Sequence, residues 1–280
     1  MSKFSKAYKY QGTGNDFVLF DSIRSEALIT PKEAIFLCNR HFGVGADGVL
    51  TLLPSKKADF FMHIYNADGS VAEMCGNGIR CAVKHFVDFY LGRGQRRTII
   101  VETKKGVHTC EYSVDDKGVK TVIVNMGAPM LEPQKIPIKA ERNTLTIKKG
   151  NRIVRGMALS MGNPHFVSFG DFNSEDVYVL GPFIERHSLF PRFTNVELAN
   201  VKDKRNAEVF VWERGVGVTL ACGSGACAVV VAGVKQGLLD GDVFVKVRLM
   251  GGVLKIKYDT KSNEVIMEGE VKRVFGIEFQ

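Results

Sequence analysis

The chain repeats itself once, and this repeat limits the available folds more than any other feature. Tyr65-Asn66-Ala67, followed by Met74-Cys75-Gly76-Asn77-Gly78, returns 147 positions later as Trp212-Glu213-Arg214, followed by Ala221-Cys222-Gly223-Ser224-Gly225. Upstream, Gly14-Asn15-Asp16-Phe17-Val18 returns as Gly162-Asn163-Pro164-His165-Phe166-Val167, offset by 148 with one residue inserted. Asp47-Gly48-Val49-Leu50 falls at the same offset of 148 from Asn195-Val196-Glu197-Leu198. Matches in one order at one spacing describe two equivalent halves. A length of 280 residues, about twice a typical domain, leaves room for both.

Each half reads as α/β. Ile99 to Thr103, Val107 to Val114 and Lys120 to Val124 are β-rich runs, punctuated by Lys105-Gly106 and by Asp115-Asp116-Lys117-Gly118, so they predict a hairpin meander. The second half closes similarly, with Val243 to Met250, Gly251-Gly252, then Val253 to Tyr258. After the first Cys-Gly-X-Gly, the apolar residues Ile79, Ala82, Val83, Phe86, Phe89 and Tyr90 recur at three- and four-residue spacing, with a stop at Gly92. After the second, Ala226 to Val234 is apolar on every side, as a helix wrapped by sheet must be.

Both cysteines therefore stand where a turn or strand feeds a helix N-terminus. Such an end offers unpaired N–H groups and about half a positive charge. A cysteine placed there has its pKa lowered and becomes a thiolate near neutrality. Two sites of this kind, one per half, are what inversion at an α-carbon needs: one thiolate removes the proton and one thiol returns it from the other face. The carbanion next to a carboxylate is then held by amides of the helix ends. No lysine stands in a phosphate-binding context, so the expectation is chemistry without pyridoxal phosphate or any other cofactor. The other cysteines, Cys38, Cys81, Cys110 and Cys227, read as small core residues.

Composition narrows the partners. The net charge of +8 is spread over scattered basic pairs, among them Lys56/Lys57, Arg96/Arg97 and Lys148/Lys149. A basic stripe with interleaved aromatics is lacking, which argues for a solvated surface rather than nucleic-acid binding. The six cysteines form no CxxC pair, and the histidines form no HxH or HExxH pattern, so a bound metal is not expected. The longest run of small or apolar residues, Gly225 to Val234, is too short to span a bilayer, and a cytoplasmic protein is the expectation.

At this level of detail the chain resembles diaminopimelate epimerase along its whole length. The resemblance rests on GTGNDF (12–17), RHFGVGADG (40–48), YNADGSVAEMCGNGIRC (65–81), MGNPH (161–165), FPRFTN (190–195) and WERGVGVTLACGSGACA (212–228). It implies two pseudo-symmetric domains, each a curved, mainly antiparallel sheet or barrel around a central helix. The first comprises 1–120 with a returning strand, 268–280; the second comprises 121–267. It implies Cys75 and Cys222 as the acid and base acting on LL- and meso-2,6-diaminopimelate, in lysine and peptidoglycan precursor synthesis. Amides of Gly76, Asn77, Gly223 and Ser224 would hold the reacting carboxylate. Asn15, Asn66, Asn163, Asn195, Glu213 and Arg214 would read the rest of the substrate, with Arg214 clamping the distal carboxylate. His165 and Glu213 would adjust thiol pKa values. A homodimer is usual in the family. Two positions depart from the family pattern: Gly48 stands where some members carry Gln and is left outside the site, and Val218 stands where many carry Glu.

Two other readings compete. Proline racemases share the two-cysteine chemistry but typically carry MCGHG and PCGTG, against MCGNG and ACGSG here; Arg214 and the asparagines suit a longer, doubly charged substrate. PhzF-like isomerases lack the paired cysteines. From another class, a non-catalytic binder or thiol redox sensor on the same scaffold would not label the α-position of the substrate from deuterated solvent.

Overall fold

The computed structural model describes residues 4–91, 97–116 and 118–279. The helix stop expected at Gly92, Arg96 of one basic pair and Lys117 of one turn lie outside the described residues. The protein is an α+β, sheet-dominated chain of two compact units, Met1–Asn125 with Glu268–Gln280, and Met126–Met267.

The first unit holds β1 (Lys6–Gly12), β2 (Asn15–Asp21), α1 (Pro31–Cys38), β3 (Gly48–Leu53), β4 (Phe60–Asn66), α2 (Gly76–Phe86), β5 (Thr98–Thr103), β6 (Gly106–Asp115) and β7 (Gly118–Gly127). The second holds β8 (Thr144–Lys149), β9 (Arg152–Ser160), β10 (Pro164–Phe169), α3 (Ser174–Glu185), β11 (Asn195–Asp203), β12 (Asn206–Glu213), β13 (Gly217–Val218), α4 (Gly223–Lys235), β14 (Val245–Leu249) and β15 (Gly252–Asp259). After β16 (Glu264–Glu270), β17 (Lys272–Glu278) pairs antiparallel with β1, back in the first unit.

The pairing pattern is duplicated. In unit one, β1–β2 is antiparallel, β2–β3 parallel, β3–β4 antiparallel, β4–β5 parallel and β5–β6 antiparallel. In unit two, β9–β10, β10–β11, β11–β12, β12–β14 and β14–β15 follow the same alternation. Register agrees as well: Phe17 lies opposite Gly48, and Phe166 opposite Val196, the residues that the sequence repeat aligns.

Helix α2 contacts β1 to β5 and β17, and all eleven of its residues are buried. Helix α4 contacts β9, β10, β11 and β15. Its face-free apolarity follows from this: Ala226 to Ala232 have no solvent exposure, so a polar side chain there would lose its hydration without a partner. The aromatic tail expected to extend the first helix instead forms a π-helical turn, Val87–Leu91. The strand expected from Val243 begins only at Val245.

The β1–β2 hairpin sets the entry to the first site. Thr13 and Gly14 both have positive φ (57° and 82°), the geometry of a two-residue turn matched to strand twist. A β-branched residue rarely accepts that region. Here the Thr13 hydroxyl accepts a 3.0 Å hydrogen bond from Nη2 of fully buried Arg80, which pins the turn. Asn15 follows as the first residue of β2.

Candidate functional site

The two cysteines occupy the same local structure. Each is the N-cap of its helix, with extended backbone: φ −142°, ψ 115° for Cys75 and φ −115°, ψ 112° for Cys222. Each sulfur accepts from the amide three residues on, Gly78 N to Cys75 Sγ at 3.4 Å and Gly225 N to Cys222 Sγ at 3.3 Å. An N-cap serine or threonine oxygen makes this bond in ordinary helices. Gly76 and Gly223 are the first helical residues, so the expected carboxylate-holding amides of Gly76, Asn77, Gly223 and Ser224 are first-turn groups without an acceptor inside the helix. Sequence reasoning missed Gly78 and Gly225 as sulfur partners because it placed no cap.

In unit one, Asn15 is the near neighbour of the thiol. Its Oδ1 accepts from Asn77 Nδ2 at 3.1 Å and faces Cys75 Sγ at 3.8 Å. Its Nδ2 donates to Asp47 Oδ2 at 2.8 Å. Asp47 is itself fixed: Arg40 Nη2 reaches Asp47 Oδ1 and Asp16 Oδ1, each at 2.8 Å, and Lys9 Nζ reaches Asp16 Oδ2 at 2.6 Å. The Lys9 and Arg40 charges hold the Asp16 carboxyl below its usual range against the opposing effect of burial. None of these four charged residues was singled out, although Asp16, Arg40 and Asp47 lie within the motifs that carry the resemblance. Asn66 is exposed and donates to Ser70 Oγ at 2.9 Å. At Gly48, a Cβ would meet the Tyr65 carbonyl oxygen at 2.7 Å, so this backbone has no room for the Gln of other members.

In unit two, a chain of contacts runs through the buried layer. His165 Nδ1 lies 2.7 Å from Glu197 Oε1, and His165 Nε2 lies 3.0 Å from Asn163 Oδ1. Asn163 Nδ2 donates to Ser224 Oγ at 3.3 Å, and Ser224 Oγ lies 3.4 Å from Cys222 Sγ. The repeat aligns Asn15 with Asn163 and Asn77 with Ser224, so the two contacts are equivalents. Asn195 donates to the Pro164 carbonyl at 2.7 Å and accepts from the Arg214 amide at 2.9 Å, fixing the backbone that carries the exposed Arg214 side chain. Buried Glu185 grips the same loop, accepting from Trp212 Nε1 at 2.8 Å and Gly215 N at 2.7 Å. Glu213 accepts from the Thr219 hydroxyl at 2.6 Å. Val218 sits on β13 opposite Trp212 and packs on the apolar core.

Electrostatically the second thiol departs from the simple helix-end expectation. Burial pushes the Cys222 thiol well above its usual range, the Glu213 and Glu197 charges add to this, and bonds from Ser224 and Gly225 oppose it only in part. A helix dipole is worth about 0.3–1 kcal/mol in exposed settings. Complete desolvation of a thiolate beside two carboxylates outweighs it. Cys222 therefore rests as a thiol.

The family model for diaminopimelate epimerase matches residues 7–132 and 157–274. A protein named diaminopimelate epimerase from Acetivibrio thermocellus is 40% identical over 274 residues, covering 95% of both chains. Another of that name, from Carboxydothermus hydrogenoformans, is 44% identical over 276 residues, covering 94% of this chain and 97% of its own. Among solved structures, a hydroxyproline epimerase from Agrobacterium vitis with bound trans-4-hydroxy-L-proline has a TM-score of 0.72 at 13% identity, covering 98% of this chain and 90% of its own. A PhzF-family phenazine biosynthesis protein from Bacillus anthracis has a TM-score of 0.64 at 15% identity, covering 99% of each chain. At those identities the structural likeness speaks for the fold alone.

Proposed function

The chain belongs to the diaminopimelate epimerase family, and on that premise we propose that it interconverts LL- and meso-2,6-diaminopimelate through Cys75 and Cys222 without a cofactor. The observation that carries this reading is the pair of helices, each capped by a cysteine whose sulfur accepts the third amide of the helix. In one direction the Cys75 thiolate takes the α-proton, the electron pair moves into the neighbouring carboxylate, and the Cys222 thiol delivers its proton to the opposite face. The products are a Cys75 thiol, a Cys222 thiolate and the inverted centre; the reverse reaction exchanges the roles. Cys75 is the partly exposed sulfur, so it has a route for losing its proton to solvent, whereas Cys222 is 5% exposed and holds its own.

The remaining residues fit a substrate with two ammonium and two carboxylate groups. First-turn amides suit the enediolate charge, worth about 2.7–4 kcal/mol per donor in comparable oxyanion sites. Asparagine amides offer both donors and acceptors to ammonium and carboxylate. The exposed Arg214 fork suits the distal carboxylate.

We place the protein in the cytoplasm, where its cysteine thiols stay reduced, and as the homodimer usual in the family. Among the described residues no helix is long and apolar enough to cross a membrane.

The test is the appearance of meso-diaminopimelate and of α-deuterium when LL-diaminopimelate is incubated in deuterium oxide with the protein alone. Cys75→Ala and Cys222→Ala should each lose about 10²- to 10⁴-fold, the worth of one acid or base. No label in the wild-type reaction overturns the reading.

A further inference from the structure

Glu197 is the one buried carboxylate in unit two whose neighbours lead step by step to a reactive sulfur. It has no solvent exposure, and neither does His165. It lies on β11, within an otherwise uncharged buried run from Asn195 to Asn200. Its Oε1 meets His165 Nδ1 at 2.7 Å, while its Oε2 is buried without a hydrogen-bond partner. A carboxylate this poorly satisfied is costly unless its charge is matched nearby.

The match is His165. Both ring nitrogens face oxygen atoms, Glu197 Oε1 and Asn163 Oδ1, an arrangement that a doubly protonated ring satisfies at both ends. Donation from Nε2 holds the Asn163 amide with its oxygen toward the ring and its Nδ2 toward Ser224 Oγ. Because Ser224 Oγ accepts from Asn163, its own proton is free to point at Cys222 Sγ, 3.4 Å away. From His165 Nε2 onward, each donor points toward the sulfur. The equivalent amide in unit one is turned the other way: Asp47, a carboxylate, takes the Asn15 Nδ2 and leaves the oxygen facing Cys75. The anchor, a histidine ring in one unit and a carboxylate in the other, decides which way each asparagine amide is turned.

We propose that Glu197 is a positioning residue for proton delivery by Cys222: by keeping His165 doubly protonated it aligns Asn163 and Ser224 so that the departing proton leaves a sulfur already receiving a hydrogen bond. This rests on the reading of Cys222 as an acid/base group. The benefit falls on the state in which Cys222 is a thiolate, so it belongs to kcat rather than to substrate affinity.

Two measurements test it. Histidine-selective ¹⁵N spectra of the wild-type protein without substrate, assigned with His165→Asn, should show both His165 ring nitrogens protonated at pH 7.5. In steady-state epimerisation, Glu197→Gln, which keeps the shape and removes the charge, should lower kcat about 10- to 100-fold, the worth of one hydrogen bond to a charged group, with KM changed less than about threefold. Glu197→Asp, which restores the charge, should recover part of the loss. A neutral His165 in the wild type overturns the proposal, as does a Glu197→Gln enzyme with wild-type kcat. The spectra need no activity, so they decide the charge of His165 even if diaminopimelate proves not to be the substrate.

Discussion

Gly225→Ala separates the demands of the helix from those of the site. In a helix, alanine in place of glycine gains up to about 1 kcal/mol, so on propensity alone the variant is more stable than the wild type. The surroundings oppose this. A Cβ at position 225 would lie 2.7 Å from Glu197 Oε1, 3.2 Å from Cys222 Cβ and 3.3 Å from its sulfur. The carboxylate has no exposure and cannot swing into solvent, so it must give by several tenths of an ångström and loosen its 2.7 Å contact with His165. A hydrogen bond between charged groups is worth about 1.5–3 kcal/mol. The balance is a net destabilisation of about 1 kcal/mol, or a melting temperature lower by about 2–4 °C for a chain of this size. Gly78→Ala, at the equivalent position, is the control: its nearest neighbour is the Leu50 Cδ2 methyl at 3.2 Å, the end of a rotatable side chain, and the sulfur is 3.7 Å away. That variant should be as stable as the wild type or up to about 1 kcal/mol more stable. Urea unfolding of both, with kcat measured alongside, provides the assay. A Gly225→Ala protein that is stabilised as much as Gly78→Ala and keeps full kcat would refute the claim that Glu197 is held tightly against α4.

Three further outcomes follow from the same geometry. Only the thiolate alkylates, and Glu213 is among the charges that hold the Cys222 thiol up, so Glu213→Gln should lower that pKa and speed iodoacetamide labelling of Cys222 several-fold at pH 7.5, read by peptide mass mapping; slower labelling would contradict the charge argument. Burial pushes the Cys81 and Cys110 thiols up to about 12. Folded values above the unfolded value of about 8.5 favour the native state fully below that pH and progressively less as pH rises toward 12, so the urea midpoint should fall over that window, less steeply in the Cys81→Ala/Cys110→Ala double variant. Arg214→Ala should raise KM for diaminopimelate about 10- to 100-fold, as loss of a charged hydrogen bond to the distal carboxylate requires, with a smaller effect on kcat; an unchanged KM would remove Arg214 from the substrate's far end.

The fold was legible wherever the repeat and local periodicity agreed. Matching Phe17-Val18 to Phe166-Val167, and Gly48 to Val196, anticipates the shared register, because a duplicated sequence must bury the same faces of the same strands. The all-apolar run after Cys222 announced a helix surrounded by sheet. What was not legible depends on tertiary proximity. Periodicity begins only at the first apolar residue, so it put each cysteine at a helix start without showing that the cysteine itself is the N-cap. The ion pairs of Lys9, Asp16, Arg40 and Asp47 include one, Arg40–Asp16, between residues 24 positions apart, and no local pattern reports it. Glu197 left one signal: a charged residue between buried apolar neighbours on a parallel strand, where a carboxylate without a partner would not survive. The thiolate character expected from the helix end does not hold at Cys222 because the complete burial of its sulfur and the nearby Glu197 were not visible in sequence, although Glu213 was expected beside it.

Duplication and divergence do separate things in this protein. Duplication supplies the backbone: two N-cap cysteines, two sulfur-accepting amides and two asparagines each bonded to the second helical residue. A two-base reaction needs one sulfur protonated while the other is not, and the two halves surround their sulfurs differently. The difference comes from charged residues at positions where the two halves of the repeat diverge. Asp47, locked by Arg40, turns the oxygen of Asn15 to Cys75, whereas His165, locked by Glu197, turns the amide nitrogen of Asn163 toward the Ser224 that serves Cys222. Exchanging anchors should then exchange preferences: with Asp47→Asn the Asn15 amide loses the carboxylate that orients it, and the Cys75 sulfur can receive an N–H where it now faces an oxygen. Thiol labelling of Cys75 at pH 7.5 should accelerate in that variant, and labelling unchanged from the wild type would show that the anchor does not set the sulfur's surroundings.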